Sequence, residues 1–259
     1  MLKKTFTIPD ENGISYHKQG KNDFLKKGLM SLLVMSSMVF TPMTPVQAKA
    51  HYVYVVTSKQ SENVQMGGSS LSHYSYNQKG LITRVKRGHV PAGESEMDPL
   101  SAETESYTYK GRRITKVTGD YGNYIYKYTK GKLTRITKNG NTYLSRTYKK
   151  GRLVSEVIDG ERYNYTYKKG KIVSAKQYTN GDFDGTITYD QNGYIKKVKT
   201  KYYTDNYKYK KSKGRITYVR ARDSVSTYTY KRIKVTGSTS ACKKQQKKLI
   251  PSVYWNEIV

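Results

Sequence analysis

Tyr124-Ile125-Tyr126-Lys127-Tyr128-Thr129-Lys130-Gly131-Lys132-Leu133-Thr134-Arg135-Ile136 is the stretch that decides the fold. Tyrosine at every second position is the period of a half-buried strand with its rings on one face; a helix would scatter them around its circumference. Thr129-Lys130-Gly131 then reads as a hairpin turn in which glycine supplies a positive φ, and Lys132 to Ile136 as the returning strand. The same phrase recurs along the chain, with its second tyrosine at 76, 109, 128, 148, 167, 189, 209 and 230. After a first interval of 33, the spacing is 19 to 22 residues. A period of this length marks one supersecondary unit copied many times, each copy burying its apolar face against its neighbours. Turns rich in Asn, Asp and Gly, such as Asn139-Gly140-Asn141, Asp159-Gly160 and Asn180-Gly181-Asp182, start the next unit.

Eight hairpins predict an all-β antiparallel meander of roughly sixteen strands, more than open sheets usually carry without curling or flattening. The expected form is a curved sheet or open shell with tyrosines inside; a flat single-layer sheet is the alternative. Leu133 and Ile136, like Ile114 and Val117, are three apart and so would point to opposite faces of a regular strand. Either both faces carry apolar cover or a bulge restores the face.

The ends depart from the phrase. Lys26-Lys27, the apolar run Gly28 to Phe40, Pro42, Pro45 and Ala48-Lys49-Ala50 read as a secretory signal cleaved after Ala48 or Ala50, making residues 1–50 a signal segment. The apolar run is too short for a membrane span, and none is expected in the mature chain. Residues 51–73 read as an N-terminal edge strand and linker, because His51 to Val56 alternates but lacks the Gly turn. Residues 74–237 are the repeat domain, with an acidic insertion loop over 90–106. In the tail, 238–259, Trp255 is expected to pack onto the ladder.

Charge is lopsided: 48 Lys and Arg against 19 Asp and Glu give a formal +29. Seven of these bases and three of the acids precede residue 51, which leaves 41 basic and 16 acidic residues. Cys242 is the only cysteine, so the fold does not depend on internal disulfides. No metal or nucleophile-base spacing joins His51, His73 and His89, and no P-loop, G-x-S-x-G or H-E-x-x-H pattern appears. The expectation is a protein without catalytic residues, metal site or cofactor.

Cations collect at the turns: Lys130, Lys132, Lys149, Lys150, Arg152, Lys168, Lys169, Lys171, Lys196, Lys197, Lys199, Lys210, Lys211, Lys213 and Arg215. In a regular ladder they form a basic ridge that a polyanion meets many times over, with binding that falls steeply with salt. The competing role of these lysines is to keep a large sheet soluble and guard its edges.

Ile187-Thr188-Tyr189-Asp190-Gln191-Asn192-Gly193-Tyr194-Ile195 resembles the YD repeat of Rhs and teneurin-type proteins, and Tyr107-Thr108-Tyr109-Lys110-Gly111-Arg112 and Tyr165 to Ile172 keep its Tyr, Gly and branched apolar positions. The resemblance covers residues 74–236, with Lys replacing the Asp in most units. It implies a curved β shell, which in that family can enclose a toxin. The functional expectation is a secreted, extracellular or cell-wall-associated protein of a Gram-positive bacterium that binds an anionic envelope polymer, teichoic acid or acidic polysaccharide. Physiological nucleic acid is not an expected partner. The alternatives are an adhesion scaffold contacting a surface protein and a shell fragment of a polymorphic toxin system.

Overall fold

In this computed structural model, residues 51–65 and 67–251 are described; the signal segment and Trp255 lie outside them. The described chain is an antiparallel meander of β1 (His51–Asn63), β2 (Gly68–Tyr76), β3 (Ile82–Val90), β4 (Glu103–Lys110), β5 (Arg113–Gly119), β6 (Gly122–Thr129), β7 (Lys132–Lys138), β8 (Asn141–Lys149) and β9 (Arg152–Ile158). It continues through β10 (Glu161–Lys168), β11 (Lys171–Thr179), β12 (Asp182–Tyr189), β13 (Ile195–Thr200), β14 (Thr204–Asn206), β15 (Lys208–Ser212), β16 (Arg215–Arg220) and β17 (Ser224–Val235) to a single helix, α1 (Ser240–Lys248). β14 and β15 form one rung interrupted at Tyr207, whose N–H still bonds Lys196 O of β13.

The sheet curves until its ends meet. β1 pairs with β2 on one side and, from His51↔Val235 to Asn63↔Ser224, with β17 on the other. The flat alternative is thereby excluded. Closure also explains why the last unit has no turn glycine: its Tyr228 and Tyr230 sit on β17, and its returning strand is β1, from the other end of the described chain. Tyr230↔Val56 occupies the place of Tyr148↔Leu153 in a continuous hairpin. The segment expected at an edge is paired on both sides, and among the described strands no edge remains to be guarded.

Each hairpin carries a bulge on its returning strand. Tyr128 faces Leu133 and Lys127 faces Arg135, so Thr134 is the extra residue; Thr115 plays the same part between Ile114 and Lys116. The bulge brings Leu133 and Ile136, and Ile114 and Val117, to the same buried face. The choice left open by their spacing is settled in favour of a bulge.

Inside lie Tyr107, Tyr124, Tyr126, Ile136, Leu144, Ile187 and Val219 in one continuous core. Outside are Lys116, Thr118, Asn123, Lys127, Arg135, Arg162 and Lys176, all exposed. Val117, Ile136, Leu144 and Ala175 have no exposed surface, so the interior at these positions is packed core rather than a water-filled lumen. Apolar inside and polar outside is the reverse of the alternation in a lipid-embedded barrel. Two buried carboxylates of this interior, Glu156 and Glu105, hold charged partners, the second reached by Arg87 from the barrel's surface. Arg146 Nε donates to Glu156 at 2.8 Å, with both side chains almost wholly buried, and Tyr165 O–H donates to the other carboxylate oxygen. Arg87 donates to Glu105, which also accepts from Tyr107 O–H at 2.9 Å.

Pairing is uneven along the rungs, and this positions the site. Within a hairpin the ladder reaches the turn. Between hairpins it stops early: at Arg84↔Ser106, short of Ile82; at Lys116↔Ile125, short of Ile114; at Arg135↔Ser145, short of Leu133; and at Tyr218↔Thr227, short of Ile216. Neighbouring units therefore splay apart at the end of the barrel that carries the Lys-Gly turns. In several copies the second tyrosine of the next unit reaches into the gap and donates to the carbonyl that the splay leaves unpaired by the ladder. Tyr109 donates to Ile82 O at 2.6 Å, Tyr148 to Leu133 O at 2.9 Å, Tyr167 to Leu153 O at 2.9 Å and Tyr230 to Ile216 O at 2.7 Å.

Candidate anion-binding end of the barrel

The two ends of the barrel use the same turn with different residues. At one end Asn139-Gly140, Asp159-Gly160 and Asn180-Gly181 occupy two-residue turns with positive φ at both positions. That is the turn whose twist matches a hairpin, and Asn and Asp tolerate its first position well. At the other end the first position is Lys130, Lys150, Lys169 or Lys213, at φ between 46° and 49°. A long aliphatic side chain gains nothing in this left-handed region, which disfavours ordinary L-residues by about 1 kcal/mol or more. Three other loops at that end differ: the Gly111-Arg112 turn puts glycine, at φ 64°, in the left-handed position, and the remaining two are capped by Asx side chains. Asp190 Oδ1 accepts from the N–H groups of Asn192 and Tyr194, and Asn77 Oδ1 from those of Lys79 and Leu81. Where an Asx side chain caps the turn, the chain uses a longer loop without a strained lysine.

Acids are segregated accordingly. Apart from Asp190 and the inward-facing Glu105 and Glu156, every acidic residue among the described ones lies in or beside the turns of the Asn-Gly end. These include Glu94, Glu96 and Asp98 of the insertion loop. The barrel thus has a strongly basic end nearly free of acids and an opposite end at which the acids gather beside bases such as Lys138, Arg162 and Arg222.

Helix α1 lies across the basic mouth. Cys242 packs with Val53, Val55 and Val235, and its thiol pKa is pushed up to about 11 by burial. Lys243, Lys244, Lys247 and Lys248 add to the cations of the turns. Lys247 donates to Asn192 O, on the loop after β12, and burial lowers its pKa. An open crevice of about 570 Å³ on one side of α1 is lined by Arg112, Arg113, Lys132, Lys244 and Lys248, with Tyr109, Tyr128 and Tyr148 among them. The crevice on the other side, about 680 Å³, is lined by Lys211, Arg215, Lys243 and Lys247 with Tyr54, Tyr194 and Tyr230. Among the described residues, neither lining contains a carboxylate.

The cations anticipated from sequence fall into three groups. Lys130, Lys149, Lys150, Lys168, Lys169, Lys211 and Lys213 are exposed on the basic rim. Lys132, Arg152, Lys171 and Arg215, the first residues after the turn glycines, lean on the next unit. Lys132 lies over Tyr148, Arg152 over Tyr167 and Arg215 over Tyr230, at 5.1 to 5.8 Å from the ring centroids, and Lys171 Nζ donates to Gln191 O. Lys196, Lys197, Lys199 and Lys210 are on strands rather than turns, and Lys210 covers Tyr218. Sequence reasoning missed Arg112, Arg113 and α1. The signal for the helix was present: Cys242, Gln245 and Leu249 recur at helical spacing between pairs of lysines.

No protein-family model matches this chain, and no curated protein matches it. Among solved structures it is similar to a porin-like protein from Bacteroides uniformis, at 14% identity over 68% of this chain and 96% of that one, with a TM-score of 0.47. A LolA superfamily protein from Nitrosomonas europaea is similar at 12% identity over 74% and 88%, with a TM-score of 0.18. Among the described residues no helix is long and apolar enough to cross a membrane, and no His, Cys, Asp and Glu cluster forms a metal site.

Proposed function

We propose that this is an exported, non-enzymatic protein that binds an anionic polymer of the cell envelope, teichoic acid or acidic polysaccharide, through the basic end of its barrel. The observation that carries this reading is the exchange of residues between equivalent turns. The chain places Asn or Asp in the left-handed position at one end and lysine at the other, against conformational preference. Strain of this kind persists where something other than stability selects the residue. Solubility asks only for charge somewhere on the surface; it does not ask that acids be gathered at one end. A polymer laid over the rim meets the exposed lysines together and releases counterions, so its affinity falls with salt. The splayed hairpin with its Asp190-capped turn supports kinship with YD-type repeats at the level of the scaffold.

The test is retention of the purified protein on isolated cell walls before and after removal of their anionic polymers, across a salt titration. Retention lost on stripping and weakened steeply by salt supports the reading. Equal retention on stripped walls, insensitive to salt, overturns it.

A further inference from the structure

The seam of the barrel turns the tyrosine phrase inside out. In the repeats the rings of the Tyr-x-Tyr pairs pack into the core. In Tyr52-Val53-Tyr54 it is the valine that is buried, and the two tyrosines keep 54% and 47% of their surface in water. The register with β17 explains the reversal. Tyr230↔Val56 occupies the place of Tyr148↔Leu153, close to the turn in a continuous hairpin. Where the other hairpins turn, β1 and β17 run on from Tyr54↔Arg232 to His51↔Val235, a ribbon of four further pairs that reaches about 13 Å beyond the rim.

One face of this ribbon is closed, because Val53, Val55 and Val235 pack on Cys242 of α1 with Ile233 beside them. The helix is held against the wall by two glutamines. Gln246 Oε1 accepts from Val56 N–H at 2.6 Å while its Nε2 donates to Tyr76 Oη at 3.2 Å, and Gln245 accepts from Ile82 N–H at 2.8 Å. The other face carries Tyr52, Tyr54 and Arg232, and each of its rings holds a guanidinium. Arg215, at the start of β16, lies 3.9 Å from the Tyr54 centroid and 5.8 Å from that of Tyr230, and Arg232 lies 4.3 Å from that of Tyr52. Stacking uses the flat face of a guanidinium and leaves its N–H edge for an anion. Among the described residues no carboxylate pairs with either arginine. The crevice of about 680 Å³ beside the ribbon adds Lys243 and Lys247 of α1 and the ring of Tyr194. Valines already make the buried face of the ribbon, so the fold gains little from rings on the wet one. Paired rings over a cationic crevice suit a ligand that has both negative charge and flat apolar faces.

We propose that this crevice binds an acidic polysaccharide, with sugar rings laid on Tyr52 and Tyr54 and their carboxylates paired with Arg215 and Arg232. Residues two apart on a strand are separated by about 7 Å, so neighbouring sugars meet successive rings. A guanidinium accepts carboxylate or phosphate alike. The tyrosines make the choice, because a poly(glycerol phosphate) chain has no flat face to lay on them. Sugar acids are one of the two ligand types in the polymer reading, on which this assignment rests.

The experiment is a titration of the purified protein with a short uronic acid oligomer, a poly(glycerol phosphate) oligomer of equal charge and a neutral oligosaccharide, with the tyrosine ring protons followed by NMR. The Tyr52 and Tyr54 signals should move with the uronic acid oligomer and stay in place with the phosphate oligomer, which should bind about tenfold more weakly. Tyr52→Leu with Tyr54→Leu should lower the uronic acid affinity about tenfold and leave the phosphate affinity unaltered. Tyr52→Phe with Tyr54→Phe, which keeps the rings, should bind as the parent does. Stationary Tyr52 and Tyr54 signals at saturation, equal movement with the phosphate oligomer, or undiminished uronic acid binding in the leucine variant overturn the proposal. Ring shifts with the uronic acid oligomer but no retention on intact walls defeat the polymer reading alone. Retention that stripping abolishes, yet is equal in the leucine variant, defeats this proposal alone.

Discussion

Replacing Lys130, Lys150, Lys169 and Lys213 together by Asn should make the protein more stable and a weaker binder. Each lysine sits at φ 46° to 49°, followed by a glycine at 76° to 81°. The left-handed region disfavours an ordinary L-residue by about 1 to 2 kcal/mol, and Asn recovers part of this by bonding its own backbone. A gain of about 0.5 kcal/mol at each site gives roughly 2 kcal/mol for the four, a sizeable fraction of the stability of most domains. Urea unfolding should show a raised midpoint with an unchanged slope. In the same protein, removing four rim charges should flatten the logarithmic salt dependence of wall binding by about 3. The opposite end supplies the control, since Asn139→Lys with Asn180→Lys should lose stability without strengthening wall binding. A quadruple variant that is no more stable, or that binds with an unaltered salt slope, would refute the reasoning.

Gln245→Ala with Gln246→Ala leaves the N–H groups of Val56 and Ile82 without their side-chain acceptors, at about 1 to 3 kcal/mol each, and should release α1; faster reaction of Cys242 with a thiol reagent reports it. Glu156→Leu removes the buried carboxylate to which Arg146 Nε and Tyr165 O–H donate and should destabilise by about 3 to 5 kcal/mol, as read by urea unfolding. Gly185→Ala places a Cβ 2.6 Å from Lys199 O, a backbone atom that cannot swing away, and should lower the melting temperature through about 1 to 3 kcal/mol. Burial pushes the phenol pKa values of Tyr109, Tyr207 and Tyr230 up to about 12. Their native states thus hold protons that the unfolded chain, titrating near 10, has released, so stability is full below pH 10 and falls between 10 and 12. Tyrosinate absorbance should accordingly rise together with loss of β-structure instead of residue by residue.

Alternating tyrosines and Lys-Gly turns made the hairpin unit legible in the sequence, because strand period and turn chemistry are both local. Closure was not legible. It depends on β1 acting as the second half of a hairpin whose first half lies far along the chain, Val56 opposite Tyr230, and neither strand carries the glycine that marks the other pairs. The missing turn glycine in the Tyr228 unit was visible, but its meaning required a partner in space. The bulge was legible as a choice, since Leu133 and Ile136 are out of phase for one face; only the register Tyr128↔Leu133, Lys127↔Arg135 decides it. The cations were visible one by one. Their division into strained rim lysines and residues such as Arg152, which lies over Tyr167, was hidden because it depends on the neighbouring unit. Helix α1 was masked by its lysines, and the roles of Gln245 and Gln246 exist only against the splayed wall.

The sorting of charge between the two ends makes the folded protein an oriented object. Positive rim and negative turns are separated by the length of the strands, and such a body feels a torque in the field of a charged surface before any contact forms. At distances beyond the screening length of about 8 Å this torque fades, so alignment belongs to the last step of approach. Near a negative surface the molecule turns mouth-down, with α1 facing the surface and the insertion loop facing away. Neighbours adsorbed in this pose stand side by side with parallel axes, like charges level with like. Crowding is then limited by lateral repulsion between rims, and added salt should permit denser layers even as it loosens each molecule's hold.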